Sequence, residues 1–379
     1  MIHLLSQFSK SEQPNRLLLV YLAVPPNLFP IVTLTIRNVI LRTKIVPFEN
    51  IRIVLEKPFG HDTASCRALM AALEQQKWNE SNLFRIDHYL GKVMIRKILY
   101  IRQLLMQNSS LPMWSNRHVQ SIHIVLKETL TIGGRGGYYD NYGVVRDVIQ
   151  NHLLQILTLL IMELPQSTKC VRDNKVQFLE QLSTIQISDC IFGQYEGYSN
   201  DATILDKSSK TPTYACIRLF TRHNSEWVGV PFYLEAGKAL DVAVCEIRIK
   251  FKGDPVQQQL GKTLVIQIQP SPSVYMEVTD DLANHRKGLC QKIDYTDQIL
   301  RDDTTSPVGA YATLILDVLN GNTANFVRAD ELLASWRIVT PLLHEYERNS
   351  KIRSLIYAVG SSGPEERSNF LQPKARSSL

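Results

Sequence analysis

The stretch "EIRIKF", Glu246 to Phe251, alternates charged and apolar residues without a break. Successive side chains of an extended strand point to opposite faces. That order therefore buries Ile247, Ile249 and Phe251 and leaves Glu246, Arg248 and Lys250 to water. A helix could not sort these residues so cleanly. Other β-rich runs, "QSIHIVLKETL", "TYACIRLF", "VPFYLEAG", "TLVIQIQP" and "SVYMEVTD", lie on either side of it. Together they predict a large, mostly antiparallel sheet with one packed and one solvated face. Helical patterns interrupt it at "VVRDVIQNHLLQILTLLIMEL", "AYATLILDVLNG" and "ADELLASWRIVTPLLHEYER".

The chain before this region has a different rhythm. "RLLLVYLAV", "IRIVLEKP" and "LFRID" read as buried strands, and "HDTASCRALMAALEQQ" reads as a helix with Asp62 as N-cap. A second helix follows "LFRID", with Met94, Ile98, Ile101 and Leu105 at helical spacing. Strands alternating with helices predict a parallel sheet covered by helices. The apolar run Leu17–Val24 ends at Pro25-Pro26 and is far short of the roughly 20 residues of a membrane span, so it reads as a buried strand. The expected organisation is a small α/β domain over residues 1–91, a larger α+β domain over 92–365, and a polar, disordered tail over 366–379.

The charge balance limits the partners. With 42 basic and 36 acidic residues in 379, the net charge is +6 and no Lys/Arg stripe appears. Nucleic acid is not expected as a partner, nor is a membrane, whereas a small anionic molecule suits the excess. The six cysteines show no CxxC and no metal-ligand spacing, so reduced thiols in the cytoplasm are expected and no metal.

Ligands of open parallel sheets bind outside the carboxyl ends of the strands. Two such ends carry reactive residues. In "EKPFG", Pro58 holds Lys57 extended, where it can reach a ligand or simply face water. In "LFRIDHYLGK", Asp87, His88, Tyr89 and Lys92 gather where a strand passes into a helix N-terminus. Unpaired N–H groups, an imidazole, a phenol and an ammonium suit a phosphate monoester, although a capped turn would use the same residues. The glycines of "GGRGGYYDNYG" do not make a nucleotide loop, because Tyr139 takes the last glycine position of a GxGxxG reading begun at Gly134. In the helix that follows, Asp147 and Asn151 share a polar stripe with His152 at its edge, opposite Val148, Ile149, Leu153, Ile156, Leu157 and Leu160. Taken alone, a histidine so placed is more often structural than catalytic.

"RIDHYLGK", "EKPFG", "GRGGYYDNYGVVRDVIQNHLLQ", "AGKAL" and "FVRADELLASWRIVTPLLH" together resemble the glucose-6-phosphate dehydrogenase family, in its order, over nearly the whole chain. The resemblance implies an incomplete Rossmann-like domain, then a substrate and dimerisation domain. It implies oxidation of glucose 6-phosphate to 6-phosphogluconolactone with NADP as coenzyme, NAD being left open, and a homo-oligomer (dimer or tetramer). It assigns His152 as the base and Asp87 as the carboxylate that orients it. Lys57, His88, Tyr89, Lys92, Glu128, Asp147, Lys238 and Gln269 fall on its substrate positions, and Pro25, Phe29 and Lys57 on coenzyme positions.

The departures shape a second expectation. The first glycine is Gly60, so no glycine-rich phosphate loop precedes it. Phe29 stands where the family often has tyrosine and Ala243 where it commonly has arginine. Positions of the second, structural NADP site in eukaryotic members read Glu235, Val244, Gln267 and Ser362, with Arg248 kept. The expected member is N-terminally truncated or divergent. The alternative is a noncatalytic paralogue that binds sugar phosphate or pairs with full-length subunits.

Overall fold

The computed structural model describes residues 16–43, 46–107, 114–222, 225–253, 261–279, 290–301 and 309–372. The chain divides into two compact units. The first is built from residues 1–91, 165–176 and 308–337, the second from 92–164, 177–307 and 338–379.

The first unit carries the predicted parallel sheet. β1 (Leu18–Leu22), β2 (Ile51–Leu55) and β3 (Leu83–Arg85) lie in that order, all parallel, so their carboxyl ends share one edge. The helix Thr63–Gln75 starts as the sequence predicts. Ser65 N–H donates to Asp62 Oδ1 at 2.7 Å, and Ser65 Oγ accepts from Asp62 N–H at 3.1 Å, a reciprocal cap that satisfies two otherwise orphaned groups. A further helix, Phe29–Thr43, has no counterpart in the sequence reading and buries Phe29, Thr33, Ile36, Val39 and Ile40. The helix Ala310–Asn320 returns from far along the chain to cover the sheet. Leu314 and Val318 pack with Val54, Phe84, Ile86 and Phe326, and the rings of Phe84 and Phe326 meet edge to face at 4.9 Å. Lys175 and Glu331 form a fully buried ion pair at 2.7 Å in the same unit.

The second unit holds a nine-stranded sheet. Its strands are β4 (Val119–Lys127), β5 (Cys190–Tyr195), β6 (Tyr214–Leu219), β7 (Phe232–Gly237), β8 (Val244–Phe251), β9 (Gly261–Gln269), β10 (Ser273–Thr279), β11 (Cys290–Asp294) and β12 (Leu355–Tyr357). The order is β11-β10-β9-β8-β4-β7-β6-β5-β12. Neighbours are antiparallel except β4 with β7 and β5 with β12. In β8 the alternation holds: Ile247, Ile249 and Phe251 are buried, while Glu246 and Arg248 are half-buried and Lys250 is exposed.

The long helix after Gly143 differs from its sequence reading. Residues Val145–Leu153 are π-helical, and α-helical winding resumes over Leu154–Ile161. The side chain of Asn151 enters the backbone ladder: its amide donates to the carbonyl of Arg146 at 3.1 Å, and its Oδ1 accepts from the N–H of His152 at 2.7 Å. A side chain that takes up backbone groups in this way loosens an α-helical turn.

The tail also differs from expectation in part. Residues 366–372 are described, and Arg367–Phe370 is a short helix; residues 373–379 lie outside the described residues. The reason is electrostatic. Glu235 is fully buried in β7, and Arg367 reaches it with Nε at 2.5 Å and Nη2 at 2.9 Å. His123 lies at 2.8 Å and the Tyr214 hydroxyl donates at 3.1 Å. Among the described residues no helix is long and apolar enough to cross a membrane. Cys66, Cys170, Cys190, Cys216 and Cys245 are free thiols, and the side chain of Cys290 lies outside the described residues.

Burial alone would push the Glu235 carboxyl up, but His123 and Arg367 outweigh it and hold it down at about 2, against an ordinary 4.5. Stability from this group is therefore complete above about pH 5 and is lost as pH falls toward 2. Glu235→Gln is expected to lower stability by about 3 kcal/mol at pH 7 and to match the parent near pH 2. Denaturant unfolding across that range checks this; a constant difference at every pH would contradict it.

Candidate functional site

The sheet of the second unit collects widely separated residues at one end. β4 and β7 are parallel and in register, Lys127 beside Gly237, so Glu128 and Lys238 are the first residues beyond two adjacent carboxyl ends. β8 runs the other way and starts there, Val244 beside Lys127. β9 runs back again and ends there, Gln269 beside Cys245. Sequence positions 128, 238 and 269 thus arrive on one rim.

Their chemistry is tightly organised. Lys238 Nζ lies 2.6 Å from Glu128 Oε2 and 4.0 Å from Asp147 Oδ2, and sits 5.4 Å from the centre of the Tyr139 ring. Its side chain is only 6% exposed, so two carboxylates and an aromatic face replace the water it gave up. Burial, then the charge of Asp147, pushes the Tyr139 phenol well above its ordinary range, which keeps that hydroxyl protonated. Gly237 is required here, because a Cβ would lie 2.7 Å from the Tyr214 ring and 2.8 Å from Leu240. Lys92, half-buried, is pushed down by burial, with Cys245 acting in the opposite sense. Gln269 is exposed at the rim.

The π-helix packs on β4 and β7 and supplies Asp147 and His152. In an α-helix, residues five apart point to nearly opposite sides. A π-helix closes i→i+5 bonds, so residues five apart lie close to one above the other. The unusual winding therefore turns Asp147 and the buried His152 to one side.

The first unit holds the other sequence-predicted residues. Pro25, Lys57 and Asp87 follow β1, β2 and β3 at the shared carboxyl edge. Tyr21 donates to Glu56 across that edge, and the N–H of Ile86 donates to the carbonyl of Leu55 at 2.9 Å. Asp87 is buried and accepts from the N–H of Tyr89 at 3.0 Å. His88 stacks on Tyr311 at 5.7 Å and meets Tyr89 edge-on at 5.0 Å. Pro25 is exposed and Lys57 half-buried, but Phe29 is wholly buried in its helix, so it serves as core beneath this edge and presents no surface to a ligand.

Two residues of this geometry escape the sequence reading. Tyr139 reads only as a failed glycine position, and its place under Lys238 depends on the turn before the π-helix. Tyr311 opens a helix more than 200 positions beyond His88, and no local pattern marks it.

The comparisons with known proteins follow the same division. A family profile described as "Glucose-6-phosphate dehydrogenase, NAD binding domain" matches residues 2–97, and one described as "Glucose-6-phosphate dehydrogenase, C-terminal domain" matches residues 104–377. The potato (Solanum tuberosum) "Glucose-6-phosphate 1-dehydrogenase, cytoplasmic isoform" is 39% identical over 375 residues, covering 97% of this chain and 72% of its own length. A solved glucose-6-phosphate dehydrogenase in complex with glucose 6-phosphate matches all of this chain and 80% of its own, at 34% identity and a TM-score of 0.86. Glucose-6-phosphate 1-dehydrogenase from Mycobacterium avium matches 98% of this chain and 78% of its own, at 31% identity and a TM-score of 0.80.

Gly91 is the tightest point of the first unit's site. A Cβ there would lie 2.3 Å from the carbonyl oxygen of Ala310, at the start of the helix that bears Tyr311. Gly91→Ala is expected to push that helix back and cost about 1–3 kcal/mol of stability. Thermal unfolding checks this; an unchanged midpoint would contradict the close approach.

Proposed function

The chain belongs to the glucose-6-phosphate dehydrogenase family, and on that footing we propose which of its residues carry the family reaction. That reaction oxidises glucose 6-phosphate to 6-phosphogluconolactone with hydride transfer to NADP. The observation that best supports the assignment of roles is the rim of the large sheet, where a buried lysine meets two carboxylates, one of them from the π-helix that also carries His152.

In this reading Lys238, Glu128, Asp147 and Gln269 receive the sugar. Their donors and acceptors match ring hydroxyls, and the Lys238–Glu128 pair is held before a ligand arrives. His88, Tyr89 and Lys92 receive the phosphate, an imidazole, a phenol and an ammonium being suited to a dianion. Lys57 serves both sugar and coenzyme. NADP fits the carboxyl edge of a parallel sheet, and the roles of meeting it there are assigned to Pro25 and Lys57, which follow β1 and β2, with Phe29 as the core beneath. The bound coenzyme supplies a hydride acceptor.

His152 takes the proton of the C1 hydroxyl as hydride leaves C1. An imidazole suits that work near neutral pH. Asp87 has the role of the carboxylate that steadies the protonated ring, as in other acid–histidine pairs. Self-association as a dimer or tetramer and residence in the cytoplasm are proposed from the likeness to family members; sedimentation as a single chain would contradict the first.

His152→Asn removes the base while keeping a polar side chain of similar reach. It is expected to lower the rate of reduced-nicotinamide formation by about 10²–10⁴-fold, with a smaller change in glucose 6-phosphate affinity. The absorbance of the reduced coenzyme measures the rate. Turnover at the parent rate would remove His152 from the chemistry.

A further inference from the structure

We propose that the Tyr357 hydroxyl is a positioning group for Lys238, clamping the backbone so that the ammonium is aimed at the substrate; this rests on the reading of Lys238 as a sugar contact. Lys238 stands just past the end of β7, where the ladder no longer dictates its direction. The next residue, Ala239, has φ +55°, a left-handed conformation that disfavours any residue with a Cβ. Such a kink persists only where its surroundings over-determine it.

The bonds that do so surround Lys238. Its N–H donates to Thr213 O at 3.0 Å, the N–H of Ala239 to Leu130 O at 3.0 Å, and the N–H of Leu240 to Glu128 O at 2.9 Å. The carbonyl of Ala239 accepts from the N–H of Gly360 at 2.8 Å. The carbonyl of Lys238 accepts from a side chain, the buried Tyr357 hydroxyl, at 2.8 Å.

Proton accounting gives this contact a direction. The Tyr357 hydrogen is committed to Lys238 O, so in the 2.8 Å contact with Thr213 Oγ1 the threonine must be the donor. Thr213 Oγ1 in turn accepts from the N–H of Tyr195 at 2.9 Å. The result is a one-way chain, Tyr195 N–H to Thr213 hydroxyl to Tyr357 hydroxyl to Lys238 carbonyl, in which every member is satisfied. A phenylalanine would fill the same space among Tyr195, Tyr214 and Leu240. What it would lose is the hydroxyl that, together with the Ala239 N–H bond to Leu130 O, fixes the peptide plane between Lys238 and Ala239.

The test is glucose 6-phosphate binding by calorimetry to the full chain and to Tyr357→Phe, Lys238→Gln and the double variant. Tyr357→Phe is expected to weaken binding about five-fold, the order of one lost hydrogen bond. In the Lys238→Gln background the same change should add nothing, because there is no ammonium left to aim. Parent affinity in Tyr357→Phe, or an equal loss in both backgrounds, overturns the proposal. Parent affinity in Lys238→Gln would instead remove the sugar role of Lys238 itself. Should Tyr357→Phe fail to fold, Ala239→Gly is the substitute: it breaks no hydrogen bond, relaxes the kink, and is expected to weaken binding similarly only when Lys238 is present.

Discussion

The parallel, in-register pairing of β4 with β7 is the constraint on which the second unit's site depends. Two strands separated by about a hundred residues must run the same way and stop together for Glu128 and Lys238 to meet. A slip of one residue would turn Lys238 to the other face of the sheet and leave Glu128 without its ammonium. The antiparallel neighbours β8 and β9 then bring Gln269 to the same rim, and the π-helix laid on β4 and β7 adds Asp147 and His152. The chemistry is thus a property of where strands end.

The two buried charged residues Glu235 and Lys238 illustrate different solutions to the cost of desolvation. Glu235, inside β7, is surrounded by donors and cations: Arg367, His123 and Tyr214. It has no capacity left for a ligand and ties the C-terminal helix to the sheet. Lys238, three residues on, keeps a partly exposed partner in Glu128, whose side chain is 40% exposed. One cluster is closed and structural, whereas the other is open on one side and can exchange partners with a sugar hydroxyl.

Much of this was legible in the residues. The strict alternation of "EIRIKF" predicts β8 and its buried face, the Asp62 cap predicts a helix start, and the motifs around Lys57 and Asp87 mark strand ends. What was not legible has physical reasons. The parallel pairs within a mostly antiparallel sheet depend on crossover connections, which strand composition does not encode. The π-helical winding depends on the Asn151 side chain competing for backbone groups, while the apolar spacing of that segment fits an ordinary helix. β12 is only three residues long and "SLIYAVG" shows no alternation, yet it carries Tyr357 to the back of Lys238. The tail reads as polar and unstructured because Arg367 gains its partner only once Glu235 is buried.

The central claim is that the rim formed by the ends of β4, β7 and β9 is where the sugar binds. The most direct test is a crystal structure of this chain grown with glucose 6-phosphate. The account predicts sugar density within hydrogen-bond reach of Lys238 and Glu128, with the Lys238–Glu128 contact kept or exchanged for a ring hydroxyl. Well-ordered sugar bound elsewhere on the chain, with that rim bare, would contradict it.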